Sequence, residues 1–106
     1  MYNTSLVVYN PYKKEVLDTV TFENLTLAGT NHVGGVRVDP PTGHMVIAIT
    51  PSHIFETLSA NKAGGDAIIK YDLHARRELF RVNLTDVGHA QYWGYQDVVL
   101  DSHGYI

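Results

Sequence analysis

The chain has no cysteine, which excludes disulfide scaffolds, cysteine-ligated zinc, iron–sulfur clusters and a thiol nucleophile. Basic residues are few, 8 Lys and Arg against 11 Asp and Glu, and no more than two stand together. A formal charge of −3 without a basic stripe lacks the footprint of a nucleic-acid module, so no nucleic-acid partner is expected. Long apolar runs are missing too. The longest, Met45-Val46-Ile47-Ala48-Ile49, falls far short of the ~20 residues of a membrane-spanning helix, so no membrane partner is expected. Met1-Tyr2-Asn3-Thr4-Ser5 has no basic start and no apolar stretch behind it, and does not read as a secretory leader. With 106 residues there is room for one domain, or part of one.

What the chain does have is β-branched chemistry. Val, Ile and Thr make up about a quarter of it, and branching at Cβ suits a pleated surface better than a helix. Apolar runs alternate with turn residues at strand spacing. Leu6–Tyr9 leads through Asn10-Pro11-Tyr12-Lys13-Lys14 to Val16, Leu17 and Val20. Val36–Val38 leads through Asp39-Pro40-Pro41-Thr42-Gly43 to Met45–Ile49. Ile68–Tyr71 leads through Asp72-Leu73-His74-Ala75 to Glu78–Leu84, and Val98–Leu100 leads into Asp101-Ser102-His103-Gly104. Each unit reads as a hairpin opened by an Asn or Asp turn. One short helix is expected, over Ser52 to Ala60, with Ser52 as its cap.

These hairpins repeat. Asp39 and Asp101 hold the same place in two similar units, and the interval between them also carries Leu6 onto Ile68, Tyr9 onto Tyr71, Asn10 onto Asp72 and Val20 onto Val82. Two hairpins per repeat make four strands, and repeated four-stranded antiparallel sheets are the blades of a β-propeller. The expected fold is therefore all-β, an incomplete propeller of about 1.7 blades. It comprises an outer half-blade over 5–22, a complete blade over 36–84 and the first strand of the next over 97–106. Propellers close with about four to eight blades, so open sheet edges are expected, and with them the option of a homo-oligomer joined through those edges.

In up-and-down blades successive connections alternate between two ends. The short turns at 39–44 and 72–77 fall at one end, and the long connections 23–35, 51–66 and 85–96 at the other. Long loops persist mainly where they do something, so the long-loop face is the expected functional face, facing a small molecule or a protein. His32, Gln96 and Asp97 each precede an innermost strand and would ring the channel of a closed propeller. Tyr92, Trp93 and Tyr95 offer aromatic walls with polar tips, suited either to a ligand pocket or to packing between blades. The Asp97 carboxylate, the Gln96 amide and the His32 imidazole can together bind a divalent cation or orient a polar ligand; the alternative is that Gln96 and Asp97 tie down backbone amides and His32 is a rim residue. His44, His74 and His103 read as solvated turn residues, and Gly34-Gly35 as a loop hinge. Asn3, Asn24 and Asn83 each open an Asn-x-Ser/Thr sequon, compatible with a secreted parent protein, though the pattern also arises in Thr-rich strands.

The segments Asn31–Asp39, Gly65-Asp66 with Tyr71-Asp72-Leu73, and Gly94–Gly104 resemble the fungal trichothecene-cluster propeller proteins. The resemblance implies a six-bladed parent several times longer than this chain, of secreted type and without an assigned reaction. More distantly, the Asp39 and Asp101 units resemble the gluconolactonase/regucalcin-like superfamily. That resemblance implies a calcium ion in the central channel, for which only Asn31 and Asp97 stand near comparable places. Three readings follow: a scaffold or binding module of fungal secondary metabolism with no catalytic residue, a calcium-dependent lactonase-like hydrolase, and a self-associating β-sheet module.

Overall fold

The computed structural model describes residues 4–26, 31–51, 66–84 and 96–106. Six strands form: β1 Ser5–Asn10, β2 Glu15–Thr21, β3 Asn31–Val38, β4 Met45–Pro51, β5 Ala67–Asp72 and β6 Arg77–Asn83. They build two open antiparallel sheets, β1-β2 and β3-β4-β5-β6 in chain order. The expected helix over Ser52 to Ala60 lies outside the described residues.

Alternation along β4 and β5 supplies the core on both faces of the larger sheet. On its near face Ile47, Ile49, Ala67, Ile69 and Tyr71 pack against Val20 and Phe22 of the two-stranded sheet, with Leu6 beside them. The Phe22 and Tyr71 rings meet edge to face, centroids 6.2 Å apart. On the far face Val46, Ala48 and Ile68 are covered by Val98 and Leu100 from the C-terminal segment. Three layers result, with the four-stranded sheet in the middle. Burying each Val, Ile or Phe of this core contributes about 1.5–3 kcal/mol.

The repeat read from the sequence holds in detail. The interval that separates Asp39 from Asp101 also carries both ends of β1 onto those of β5, and both ends of β2 onto those of β6. Ser5 pairs with Thr21 as Ala67 pairs with Asn83, and the ladders slip at equivalent places, between Val8 and Tyr9 and between Lys70 and Tyr71. The two hairpin turns carry a left-handed residue at equivalent positions, Lys14 (φ 55°) and Arg76 (φ 57°). Asn10 Oδ1 accepts the amides of Tyr12 and Lys13, and Asp72 Oδ1 that of Ala75. Both Asp turns also share a plan. The Gly43 amide donates to Asp39 O and the Gly104 amide to Asp101 O, and each glycine sits at positive φ (72° and 83°), where a Cβ is strained.

One expectation is corrected. The first strand of the complete unit starts at Asn31 rather than Val36, so Asn31, His32, Gly34 and Gly35 lie in β3 and not in a loop. The glycines sit where the β3–β4 ladder slips, between Val33 and Val36; a bulge there needs little side-chain bulk. Val98–Leu100, expected to open a further unit, packs on the far face and belongs to neither of the two described sheets.

Candidate functional site

The short turns gather at one end of the larger sheet, as His44 Nε2 lies 3.6 Å from Asp72 and Lys70 Nζ 3.2 Å from Asp39. The buried Asp39 carboxylate accepts the Thr42 hydroxyl at 2.7 Å and the Lys70 ammonium. The Thr42 hydrogen bond above all, helped by Lys70 and by the charge of His44, holds Asp39 below the usual aspartate range against the opposing effect of burial. His44 is half-buried rather than solvated, and its Nδ1 is buried without a hydrogen-bond partner. His74 and His103 are exposed, as expected.

At the opposite end, hydroxyls tie the sheets together. Thr4 donates to Asn31 O (2.5 Å), Thr26 donates to Thr4 O (2.6 Å), and the Phe22 amide donates to Thr26 Oγ1 (2.6 Å). Across the larger sheet His32 pairs with Thr50 in the β3–β4 ladder. One residue beyond the last β4–β5 pair, Ile49 with Ala67, the Thr50 hydroxyl donates to Asp66 Oδ1 at 3.3 Å. Thr50 and Asp66 are both almost wholly buried (0% and 4% exposed). Alternation puts this His32–Thr50–Asp66 row on the same face as Val46 and Ala48, at the end from which the chain leaves for 52–65. Thr50 escaped the sequence reading. Its signal was present in the register: extending the Ile49–Ala67 pairing by one step brings Thr50 against Asp66.

Asp97 lies farther along the same far face, pressed against β3. A Cβ on Gly35 would stand 2.2 Å from Asp97 Oδ1 and 2.7 Å from its Cα, so only glycine permits the approach. One carboxylate oxygen takes an ion pair from Arg37 at 2.5 Å, and the other accepts the Val98 amide at 2.8 Å. Arg37 is a partner that sequence reasoning did not single out. Asn31, by its pairing with Pro51, sits on the near face, so opposite faces of one sheet carry the two residues read as a metal pair. Among the described residues no group of three His, Asp or Glu is arranged to hold a metal. Gln96 is exposed, and Tyr92, Trp93 and Tyr95 lie outside the described residues.

A polar groove of about 560 Å³ opens between the outer strands of the two sheets, lined by Thr21, Asn24, Arg76, Glu78 and Arg81 among others. Its arginines lace the sheets together: Arg76 pairs with Asp18 at 2.5 Å, and Arg81 pairs with Glu78 and donates to Glu23 O.

Fold and site together define an all-β chain of repeated antiparallel hairpins with a buried polar row at one end. The chain is homologous to trichothecene biosynthesis protein 14 of Trichoderma arundinaceum, to which it is 31% identical over 98% of its own length. It is 27% identical, over the same share, to the core trichothecene cluster protein 14 of Fusarium sporotrichioides. It spans 31% and 30% of the lengths of these relatives. No family model matches the chain, and no solved structure matches it.

Proposed function

We propose that the chain supplies propeller blades to a binding scaffold of fungal secondary metabolism, with a small molecule of the trichothecene class as ligand. In this reading 5–22 is the outer half of one blade, 36–84 a complete blade whose first strand is extended back to Asn31, and 97–106 the start of a third. The agreement of strand limits, ladder slips and left-handed turn residues at one offset supports the blade assignment. The relatives' names, one a trichothecene biosynthesis protein and the other a core trichothecene cluster protein, motivate the ligand class.

The observation that carries the binding role is the His32–Thr50–Asp66 row, a polar floor built on rigid strands at the long-loop end. A buried carboxylate held by a neighbouring hydroxyl is costly unless its hydrogen bonds are satisfied, and it keeps a fixed orientation. In this reading the row orients a polar group of the ligand. Calorimetric titration of the chain with trichothecenes tests this. Saturable heat is expected, weakened about tenfold, or ~1.4 kcal/mol, by Asp66→Asn with the β-sheet circular dichroism retained. Absence of heat counts against the ligand class, and turnover of the titrant counts against a purely binding role.

A further inference from the structure

Both walls of the polar groove, β2 with the turn after it on one side and the β5–β6 hairpin on the other, belong to this chain. The groove opens toward the near face of the larger sheet, so it is separate from the His32–Thr50–Asp66 row on the far face. At about 560 Å³ it has the size of a small-molecule pocket.

Its most deeply buried lining residue is Tyr71, 7% exposed. The ring is fixed edge to face against Phe22. The hydroxyl, however, has no hydrogen-bond partner among the described residues, and it is not sealed off from the groove. Buried tyrosines ordinarily find a partner for that O–H. Burial pushes the Tyr71 phenol above its ordinary value of 10.0, so it stays a neutral donor.

The charges around Tyr71 are balanced. Arg76 is matched by Asp18 and Arg81 by Glu78, while Arg77 and Glu23 add one charge of each sign. Such a groove has no net field with which to concentrate an anion or a cation. What it offers is unused hydrogen bonding of both kinds. Arg76 gives only Nη1 to Asp18 and keeps its other N–H groups. The Arg77 guanidinium and the Glu23 carboxylate have no partner among the described residues, and the Asn24 amide can both donate and accept. Apart from Tyr71 the lining consists of threonine, asparagine, arginine and glutamate, which gives an apolar ligand nothing to lie against. Sugar hydroxyls suit this surface. Each donates and accepts, and neighbouring pairs match the two N–H groups of a guanidinium or the two oxygens of a carboxylate.

We propose that the groove is a binding site for a neutral saccharide, held by the Tyr71 hydroxyl, the Asn24 amide, the Arg76 and Arg77 guanidiniums and the Glu23 carboxylate. Because the sugar and the groove must both shed water to meet, the affinity is expected to be modest, in the millimolar range.

Amide NMR spectra of the isotopically labelled chain, titrated separately with glucose, mannose, galactose and N-acetylglucosamine, test it. At least one sugar is expected to give saturable shifts confined to 19–24 and 71–81, with an affinity that added salt leaves unchanged because the ligand is uncharged. Tyr71→Phe keeps the ring and removes only the hydroxyl, and should weaken that sugar about tenfold. Glu23→Ala, at an exposed position, should weaken it several-fold and decides the matter where Tyr71→Phe disturbs folding. Saturable shifts with none of the four sugars, shifts centred elsewhere in the chain, or an affinity that neither variant lowers overturns the proposal. Inorganic phosphate serves as the charged probe: if it moves the same amides more tightly than any sugar and is displaced by salt, the neutral ligand class is wrong.

Discussion

The hairpins β1–β2 and β5–β6 are nearly the same object in two environments. Their strand limits, pairing, ladder slip and left-handed turn residue coincide at one offset. Their burial does not. Tyr71 is 7% exposed and Tyr9 52%; Ile69 is 0% exposed and Val7 55%. Local backbone form follows from turn chemistry and alternation, which each hairpin carries in its own residues. Burial follows from what lies above the sheet, and among the described residues only β5–β6 has a sheet packed on the face that carries Ile69 and Tyr71.

The largest break in the comparison is expected from truncating equivalent apolar positions. Ile69→Ala opens a cavity in the core and should cost about 2–5 kcal/mol. Val7→Ala, its counterpart on an open face, should stay within about 0.5 kcal/mol in the monomer. Urea denaturation of the two variants measures both, and equal losses would mean that the hairpins share one environment.

A smaller effect is expected from the charge that one turn has and the other lacks an acidic partner for. Arg76 reaches Asp18 across the sheets, but Arg76 is 62% exposed and water screens the pair. A double-mutant cycle with Arg76→Ala and Asp18→Ala should give a coupling of only about 0.2–1 kcal/mol, declining with salt. The equivalent cycle at Lys14 and Phe80 should give none in the monomer.

The finest distinction is pH. The Asp72 carboxylate is held below the ordinary aspartate value of 3.8 chiefly by the Ala75 amide, with help from His44 and His74. A carboxylate whose folded value is lowered stabilises fully above its unfolded value, and that contribution disappears as pH falls through the folded one. Asp39 is lowered as well and adds to the same loss. Acidification below the ordinary aspartate range should therefore weaken β5–β6, whereas Asn10, which closes the β1–β2 turn, does not titrate. Asp72→Asn should reduce the pH dependence of the urea midpoint in this range, leaving the share due to Asp39.

Much of the fold was legible because hairpins are local. Asn10, Asp39, Asp72 and Asp101 announce their turns within a few residues, and the apolar runs between them alternate or fill a buried strand. The start of β3 was missed because Gly34-Gly35 resembles a hinge until a partner strand shows that it is a bulge. The site was less legible for a related reason. Arg37 meets Asp97 across 60 positions, and Thr50 meets Asp66 across 16, contacts that exist only once strands pair and layers stack. Asp97 was visible as a carboxylate near an inner strand; that Arg37 and the Val98 amide occupy its oxygens was not.

By itself the sequence determined the strands, their turns and the offset at which they recur, because backbone preferences and alternation act over a few neighbouring residues. Tertiary structure decided which face of each hairpin is dry, which carboxylates are already paired and which apolar surfaces remain open. Those outcomes depend on the distance between layers brought together from remote parts of the chain, and no short window of residues contains it.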